Sequence, residues 1–202
     1  MLHAFDNGEL ELRKRASHGL LLAGRFPYGK RAVLSDGGRN GGRPRKEVIA
    51  PRAFSYRVDR PEEDIHMLAG HDYNRVLASR KSGTLTLADS DEALSFEAVI
   101  SDEMQDVSYV QDILASLRAG LTIGISPGFR LPPPRAVPMA EKVEEEDPSE
   151  GTALIRTIFA ALLYELSIVT RPAYDEAQVE ERNWQPDAPF IPIKAHASLR
   201  WR

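Results

Sequence analysis

The stretch "ALIRTIFAALLYELSIVT" at residues 153–170 decides the fold class, because it is apolar enough for a buried helix or for buried strands. Its central Ala and Leu residues favour a helix. β-branched residues cluster near its two ends, at 155–158 and 168–170, and favour two consecutive strands or one bent strand. We expect strands here, with the buried helix as the alternative.

Shorter stretches elsewhere also have the pattern of strands. In "ALSFEAVI" (93–100) the apolar residues fall on every second position, so they share one face of a half-buried strand. Turn-forming residues separate such stretches from one another. The same interpretation applies to "GLLLAGRF" (19–26), "EVIAPRAF" (47–54), "RVLASR" (75–80) and "TLTLAD" (84–89). The sequence therefore predicts an α+β fold that is rich in β-strands.

One amphipathic helix is expected over residues 101–120, "SDEMQDVSYVQDILASLRAG". Ser101 or Asp102 can cap its first turn, which is rich in acidic residues. Apolar residues follow at helical spacing, and Gly120 is a natural helix terminator. The strand-like "LTIGISPGF" (121–129) comes next, so this helix leads directly into it.

Composition predicts one domain over 17–181, preceded by an N-terminal arm (1–16) and followed by a flexible, proline-punctuated tail (182–202). Two segments of this domain are predicted to be loosely packed. Residues 25–46 carry seven Lys or Arg and five Gly, which is typical of a mobile basic loop. Residues 131–150 hold five Pro and six acids, which indicates an extended surface insertion.

The overall composition argues against several classes of protein. A net charge of −4 disfavours nucleic-acid binding, which only the basic 25–46 segment suggests. No run of about 18 apolar residues is present to span a membrane, and the charged N-terminal segment predicts no secretory signal and a cytosolic protein. The absence of cysteine excludes disulfides, thiolate metal sites and a cysteine nucleophile. Phosphate-binding and metal-binding motifs are missing and the acids at 144–147 are expected to be solvated, so we expect no cofactor and no metal.

The stretch "GISPGF" (124–129) places Ser126 between Gly124 and Gly128 and is the first candidate for chemistry. Glycine adds no packing to a strand, so two glycines around one hydroxyl suggest either a turn or a backbone that a substrate approaches closely. The letters fit the Gly-x-Ser-x-Gly nucleophile elbow, but proline-rich sequence follows instead of a helix. Pro127 has no N–H, so an oxyanion donor would come from Gly128, another loop or an arginine.

A serine nucleophile needs a general base and a carboxylate that orients this base. Among the histidines, His71 follows Gly70 at a predicted strand end, where it can face a cleft. Glu165 is a lone acid in an apolar run, so it either faces water at a sheet edge or orients a histidine. Asp72 competes for that third role, although in a strand its side chain would point away from that of His71. The remaining histidines are at 3, 18, 66 and 196.

Taken in order, these motifs resemble a known protein family. The order is "AGRF", "EVIAPRAF", "LAGHD", a helix ending in "LRAG", "GISPGF" and "LYELSIVTRPAY". It resembles the prohead maturation proteases of tailed double-stranded DNA bacteriophages and prophages, over roughly residues 18–180. The Gly-hydrophobic-Ser-x-Gly-aromatic and Glu-x-Ser-x-Val-Thr-x-Pro-Ala-aromatic stretches are the most specific parts of this resemblance.

The resemblance implies a serine endopeptidase with a herpesvirus assemblin-like fold, a β-barrel body with surrounding helices. By motif, Ser126 is the nucleophile, His71 the general base and Glu165 the third member, while Gly124 and Gly128 clear a path for the substrate backbone. The implied partners are scaffold protein and the capsid protein precursor, cut inside the immature capsid in the host bacterial cytoplasm. Self-cleavage and a homodimer or co-assembled oligomer are also expected. A catalytically silent assembly factor that binds the same partners is the alternative.

Two features depart from the family pattern. Arg52 stands where the family usually has glycine, so the turn there is expected to differ. An overlapping "GLTIG" (120–124) would put Thr122 at the nucleophile position. Only the Ser126 register restores the second glycine and the aromatic Phe129, so we prefer Ser126 as the nucleophile.

Overall fold

The computed structural model describes residues 10–14, 19–38, 41–121, 124–170 and 172. Strands predominate in these ranges. In chain order the elements are β1 (Leu10–Lys14), β2 (Leu20–Pro27), β3 (Arg31–Ser35), β4 (Arg45–Ile49), α1 (Ser55–Val58), β5 (His66–Ala69), β6 (Asp72–Ser79), β7 (Leu85–Asp89), β8 (Ala93–Ile100), α2 (Asp102–Gln105), α3 (Ser108–Arg118), β9 (Gly124–Arg130), β10 (Glu141–Glu145), β11 (Leu154–Ile158) and β12 (Leu162–Val169).

The strands form three four-stranded sheets, ordered β1-β2-β8-β7, β10-β11-β4-β3 and β6-β5-β12-β9. Neighbouring strands are antiparallel except that β4 pairs with β11, and β5 with β12, in parallel. The structure is 46% strand and 13% helix, so the predicted β-rich fold is confirmed. Across the described residues the three sheets keep their edge strands and form no closed barrel, so the barrel part of the prediction is not confirmed.

The stretch 153–170 forms the two strands β11 and β12. The prediction of consecutive strands is therefore confirmed, and the helix alternative is wrong. The two strands belong to different sheets, and the turn between them is fixed where the N–H of Ala161 donates to the carbonyl of Ala53 (2.7 Å). β12 lies inside its sheet, between β5 and β9, which explains why its sequence is apolar at nearly every position.

Residues 101–120 form two helices, α2 and α3, instead of the single predicted helix. Ser101 caps α2 as predicted, because its Oγ accepts a hydrogen bond from the Met104 N–H (3.4 Å). The helix breaks at Val107, whose backbone is extended (φ −77°, ψ 129°). Gly120 has a φ of +68° and follows the end of α3, as predicted for a helix terminator.

The basic segment 25–46 is more ordered than the predicted mobile loop. Its residues form the end of β2, all of β3 and the start of β4, which leaves a connection at 36–44. Residues 39 and 40 of that connection lie outside the described part of the chain. The prediction of a mobile loop from composition was wrong because β3 is a solvated edge strand, and charged side chains are common on edge strands.

The proline-rich and acidic segment 131–150 also contains a strand, since β10 pairs with β11. Glu146 was expected to be solvated, yet its side chain is only 2% exposed. The ammonium of Lys46 donates to Oε1 of Glu146 (2.7 Å), and the N–H of Ala153 donates to Oε2 (3.1 Å). A buried carboxylate is stable when it is paired in this way.

One hydrophobic core joins the three sheets with α1 and α3. The arm predicted at 1–16 contributes β1, which extends the first sheet by pairing with β2. None of the helices in the described ranges is long and apolar enough to cross a bilayer. The predicted tail at 182–202 and the alternative nucleophile Thr122 lie outside the described residues. The largest fully buried side chains of the core include Phe54, Ile65, Met67, Leu94, Ile100, Ile158, Leu163, Leu166 and Ile168.

Candidate active site

Three neighbouring strands, β5, β12 and β9, carry or adjoin the predicted site residues. β12 pairs with β9 in a register that sets Ser167 opposite Ser126 and Glu165 opposite Gly128. Residues paired in this way project from the same face of a sheet, with their Cα atoms about 5 Å apart. The parallel strand β5 lies on the other side of β12, and the chain turns at its end to reach His71. One end of one sheet therefore gathers residues that are far apart in sequence.

His71 lies in the tight turn between β5 and β6. Ala69 pairs with Asp72, and the two residues between them, Gly70 (φ +64°) and His71 (φ +63°), both have left-handed backbone. Two positive φ values define a type I′ turn, whose twist suits a two-residue hairpin. Left-handed backbone costs a residue with a side chain about 1–2 kcal/mol, so neighbouring contacts must hold His71 in place. Its side chain is 47% exposed.

The carboxylate of Glu165 contacts the imidazole of His71 and the hydroxyl of Ser167. Oε1 of Glu165 lies 2.6 Å from Nδ1 of His71, and Oε2 accepts a hydrogen bond from the Ser167 hydroxyl (2.7 Å). The Glu165 side chain is 5% exposed, so the alternative of a water-facing glutamate is wrong. The structure shows the other alternative, in which Glu165 contacts a histidine. The catalytic role of Glu165 stays a prediction.

Ser126 lies in the middle of β9, which is the edge strand of its sheet. The strand continues to Arg130 without turning into a helix, which agrees with the rejection of a nucleophile elbow from the sequence. The edge position accommodates Pro127, which cannot donate a ladder hydrogen bond. Pro127 is buried and Ser126 is half-buried, as expected for adjacent strand residues on opposite faces.

Ser167 connects the Ser126 strand to the His71 turn. It faces Ser126 across the β9–β12 pair, and its Oγ accepts a hydrogen bond from the backbone N–H of His71 (2.9 Å). This hydrogen bond therefore links the turn that carries His71 to Ser167, the residue opposite Ser126. Ser167 was not among the site residues predicted from the sequence. The available signal was the Glu-x-Ser spacing, because residues two apart in a strand share one face.

The two glycines beside Ser126 are required by the packing of the protein itself. A Cβ atom at Gly128 would overlap the carboxylate of Glu165, and one at Gly124 would overlap the ring of Pro172. Glycine at these two positions therefore lets neighbouring side chains lie directly on the backbone of β9. That they also clear a path for a substrate stays a prediction.

The competing candidates make other contacts. Nε2 of His66 lies 3.4 Å from the Asp64 carboxylate, and its ring packs edge-on against Tyr73. Asp72, the competing third member, uses Oδ1 to accept the backbone N–H of Asn74 (2.8 Å). Of the acids considered from the sequence, Glu165 is the one that reaches the imidazole of His71. His3, His18 and His196 lie outside the described residues.

Aromatic and cationic side chains border the site beyond Glu165. Tyr164 precedes Glu165 at an irregularity in the β9–β12 pairing. The guanidinium groups of Arg57 and Arg130 lie 4.2 Å and 5.6 Å from the centre of the Tyr164 ring, within cation–π distance. Partial burial, followed by the negative charge of Glu165, raises the pKa of Tyr73. Two cationic groups therefore lie against the ring of Tyr164, the residue next to Glu165.

Comparison with known proteins identifies the family of the chain. A family model described as caudovirus prohead serine protease matches residues 38–188, a range that contains His71, Ser126 and Glu165. No curated protein and no solved structure matches the chain. The matched range covers well over half of the 202 residues and includes all of the sheet formed by β5, β6, β9 and β12. The chain belongs to the caudovirus prohead serine protease family.

Proposed function

We propose that the chain is a serine endopeptidase in which Ser126 is the nucleophile, His71 the general base and Glu165 the acid that orients His71. The observation that carries this proposal is the 2.6 Å contact between Nδ1 of His71 and Oε1 of Glu165, on the sheet that also carries Ser126. When Nδ1 of His71 carries the proton and donates it in a hydrogen bond to Glu165, Nε2 is the basic nitrogen. Membership of a serine protease family supports the same chemistry.

In this mechanism the peptide is hydrolysed in two stages, of which the first breaks the peptide bond and the second releases the acyl group. Oγ of Ser126 attacks the scissile carbonyl while Nε2 of His71 accepts the hydroxyl proton, and the negative charge of Glu165 stabilises the imidazolium. His71 then gives the proton to the departing amine, which leaves an acyl group on Ser126. Water attacks this ester with His71 again as the base, and Ser126 is restored. No cofactor takes part.

The proposed substrates are scaffold protein and the capsid protein precursor, cut inside the immature capsid in the host cytoplasm. Self-cleavage, activity as a homodimer or co-assembled oligomer, and an assemblin-like body belong to the same proposal. The edge position of β9 supports substrate binding beside Ser126, because an extended peptide can pair with an edge strand through its backbone. Such pairing would make few demands on substrate sequence.

The test is co-expression of the chain with the scaffold and capsid precursors of the same phage, followed by mass spectrometry of the products. We expect processed precursors with the wild-type chain and with Ser95→Ala, which removes an exposed strand serine on β8. Ser126→Ala should leave the precursors intact while keeping the fold.

The catalytically silent assembly factor is the outcome that would replace this proposal. It predicts that the wild-type chain binds the precursors stoichiometrically and leaves them uncut. Normal processing by Ser126→Ala would instead show that another residue is the nucleophile.

A further inference from the structure

Ser167 completes a closed ring of hydrogen bonds around the predicted base. The N–H of His71 donates to Oγ of Ser167 (2.9 Å), the Ser167 hydroxyl donates to Oε2 of Glu165 (2.7 Å), and Oε1 lies 2.6 Å from Nδ1 of His71. The ring therefore starts at the backbone of His71 and returns to its imidazole. Ser167 is fully buried, with 0% of its surface exposed.

The ring determines where each proton lies. A hydroxyl has one proton to donate. Because Oγ of Ser167 already accepts the His71 N–H, its own proton is directed to Oε2 of Glu165. The other carboxylate oxygen, Oε1, is then left to accept from Nδ1 of His71. In this arrangement Nδ1–H donates to Oε1, and Nε2 is the ring nitrogen that is left to accept a proton.

The same ring holds the backbone in a strained conformation. His71 has a φ of +63°, which the type I′ turn requires but which a side chain disfavours. Oγ of Ser167 is the acceptor that fixes the His71 N–H, so one serine sets both the backbone of the turn and the rotamer of the carboxylate. Hydrogen bonds in such a network strengthen one another.

We propose that Ser167 is a positioning residue for the peptidase reaction, acting through Glu165 and His71 and never contacting the substrate. This proposal rests on the proposed function. Burial and two hydrogen bonds leave the Ser167 hydroxyl unsuited to be a nucleophile itself. The two serines that face each other across β9 and β12 therefore have different tasks: Ser126 reacts, and Ser167 aligns the base.

The test uses a serine-directed fluorophosphonate, which needs no knowledge of the cleavage site. We expect Ser167→Ala to lower the maximal rate of Ser126 labelling about 100-fold, the effect of a base displaced by about 1 Å, while the apparent probe affinity changes less than about twofold. Ser167→Thr keeps the hydroxyl and should recover part of that rate. Ser95→Ala is the matched control and should label like the wild type.

Two further measurements make the test informative whether or not Ser167→Ala folds. Circular dichroism and thermal unfolding establish that Ser167→Ala is folded, and a folded Ser167→Ala that labels at the wild-type rate overturns the proposal. If the variant does not fold, hydrogen exchange on the wild-type chain decides. A protected His71 amide supports the ring, and a freely exchanging one overturns it. A wild-type chain that never labels, yet protects the His71 amide, would count against the proposed function alone.

Discussion

The carboxylate of Glu165 lies directly on the backbone of Gly128, in the space that a Cβ atom at that position would occupy. The two residues face each other across β9 and β12, and the same carboxylate contacts His71. The second glycine of the Gly-x-Ser-x-Gly stretch is therefore part of the arrangement that holds the predicted acid, although it carries no reactive group.

We expect Gly128→Ala to reduce peptidase activity about 100-fold, because the added methyl group would push the carboxylate away from Nδ1 of His71. Overpacking of this kind also costs about 1–3 kcal/mol of unfolding free energy. Cleavage of the co-expressed precursors and urea unfolding measure the two effects. Gly29→Ala is the control, since its φ of +71° makes alanine strained there while the space around it is open. Equal activity losses in the two variants would mean that general destabilisation, and not the carboxylate, is responsible.

Arg52 has a left-handed backbone (φ +55°), a conformation that favours glycine. Its guanidinium donates to the carbonyl of Asp89 (2.9 Å) and pairs with the carboxylate of Asp59 (3.0 Å). Arg52→Gly and Arg52→Ala both remove these contacts, but only glycine relieves the backbone strain. We therefore expect Arg52→Gly to be more stable than Arg52→Ala by about 1 kcal/mol in urea unfolding.

The matched control for Arg52 is Arg31, an exposed residue of the edge strand β3. Its φ is not positive, so glycine there gains nothing and weakens the strand. Arg31→Ala should accordingly be more stable than Arg31→Gly, the reverse of the order at Arg52. The same order at both positions would contradict the assignment of strain to Arg52.

The ion pair between half-buried Lys46 and buried Glu146 should make stability depend on pH. The hydrogen bond from Lys46 lowers the pKa of Glu146 below its ordinary value of 4.5. A lowered pKa in the folded state stabilises the fold above that ordinary value, and this contribution is lost as the pH falls through 4.5 and below. Glu146→Gln should therefore cost about 1–3 kcal/mol near neutral pH, from the loss of buried charge-assisted hydrogen bonds.

Urea unfolding of the wild type and of Glu146→Gln from about pH 7 to about pH 3.5 measures this effect. The stability difference between them should shrink as the pH falls, because glutamine does not titrate. Glu145→Gln, which removes an exposed carboxylate paired with Arg43, should show a smaller difference throughout. If the difference in unfolding free energy between the wild type and Glu146→Gln stays constant over this pH range, ionisation of Glu146 does not make stability depend on pH.

The strands that pack on the core were predictable because the spacing of their apolar residues follows the positions that are buried. "ALSFEAVI" became β8 with its apolar residues buried, and the β-branched ends of 153–170 became β11 and β12. The edge strands β3 and β10 were missed because their pairing is backbone-to-backbone and leaves charged side chains exposed. Composition alone cannot separate such a strand from a solvated loop.

In the candidate site, His71 and Glu165 were chosen from the sequence, and they are in contact. The left-handed turn at His71 was not predictable from the sequence, because positive φ is uncommon for any residue other than glycine, even though histidine is among the residues enriched there. For Ser167, the Glu-x-Ser spacing indicates only that the serine shares a face with Glu165, and not which other residues it contacts. Only the register between β9 and β12 places Ser167 opposite Ser126.

The most direct test of the central claim is to treat the wild-type chain, co-expressed with its scaffold and capsid precursors, with a fluorophosphonate and to map the modified residue by mass spectrometry. We expect one adduct, on Ser126, that is lost in His71→Ala and strongly reduced in Glu165→Ala. An adduct that forms on Ser126 at the same rate without His71, or precursors that are cleaved while Ser126 stays unmodified, would contradict it.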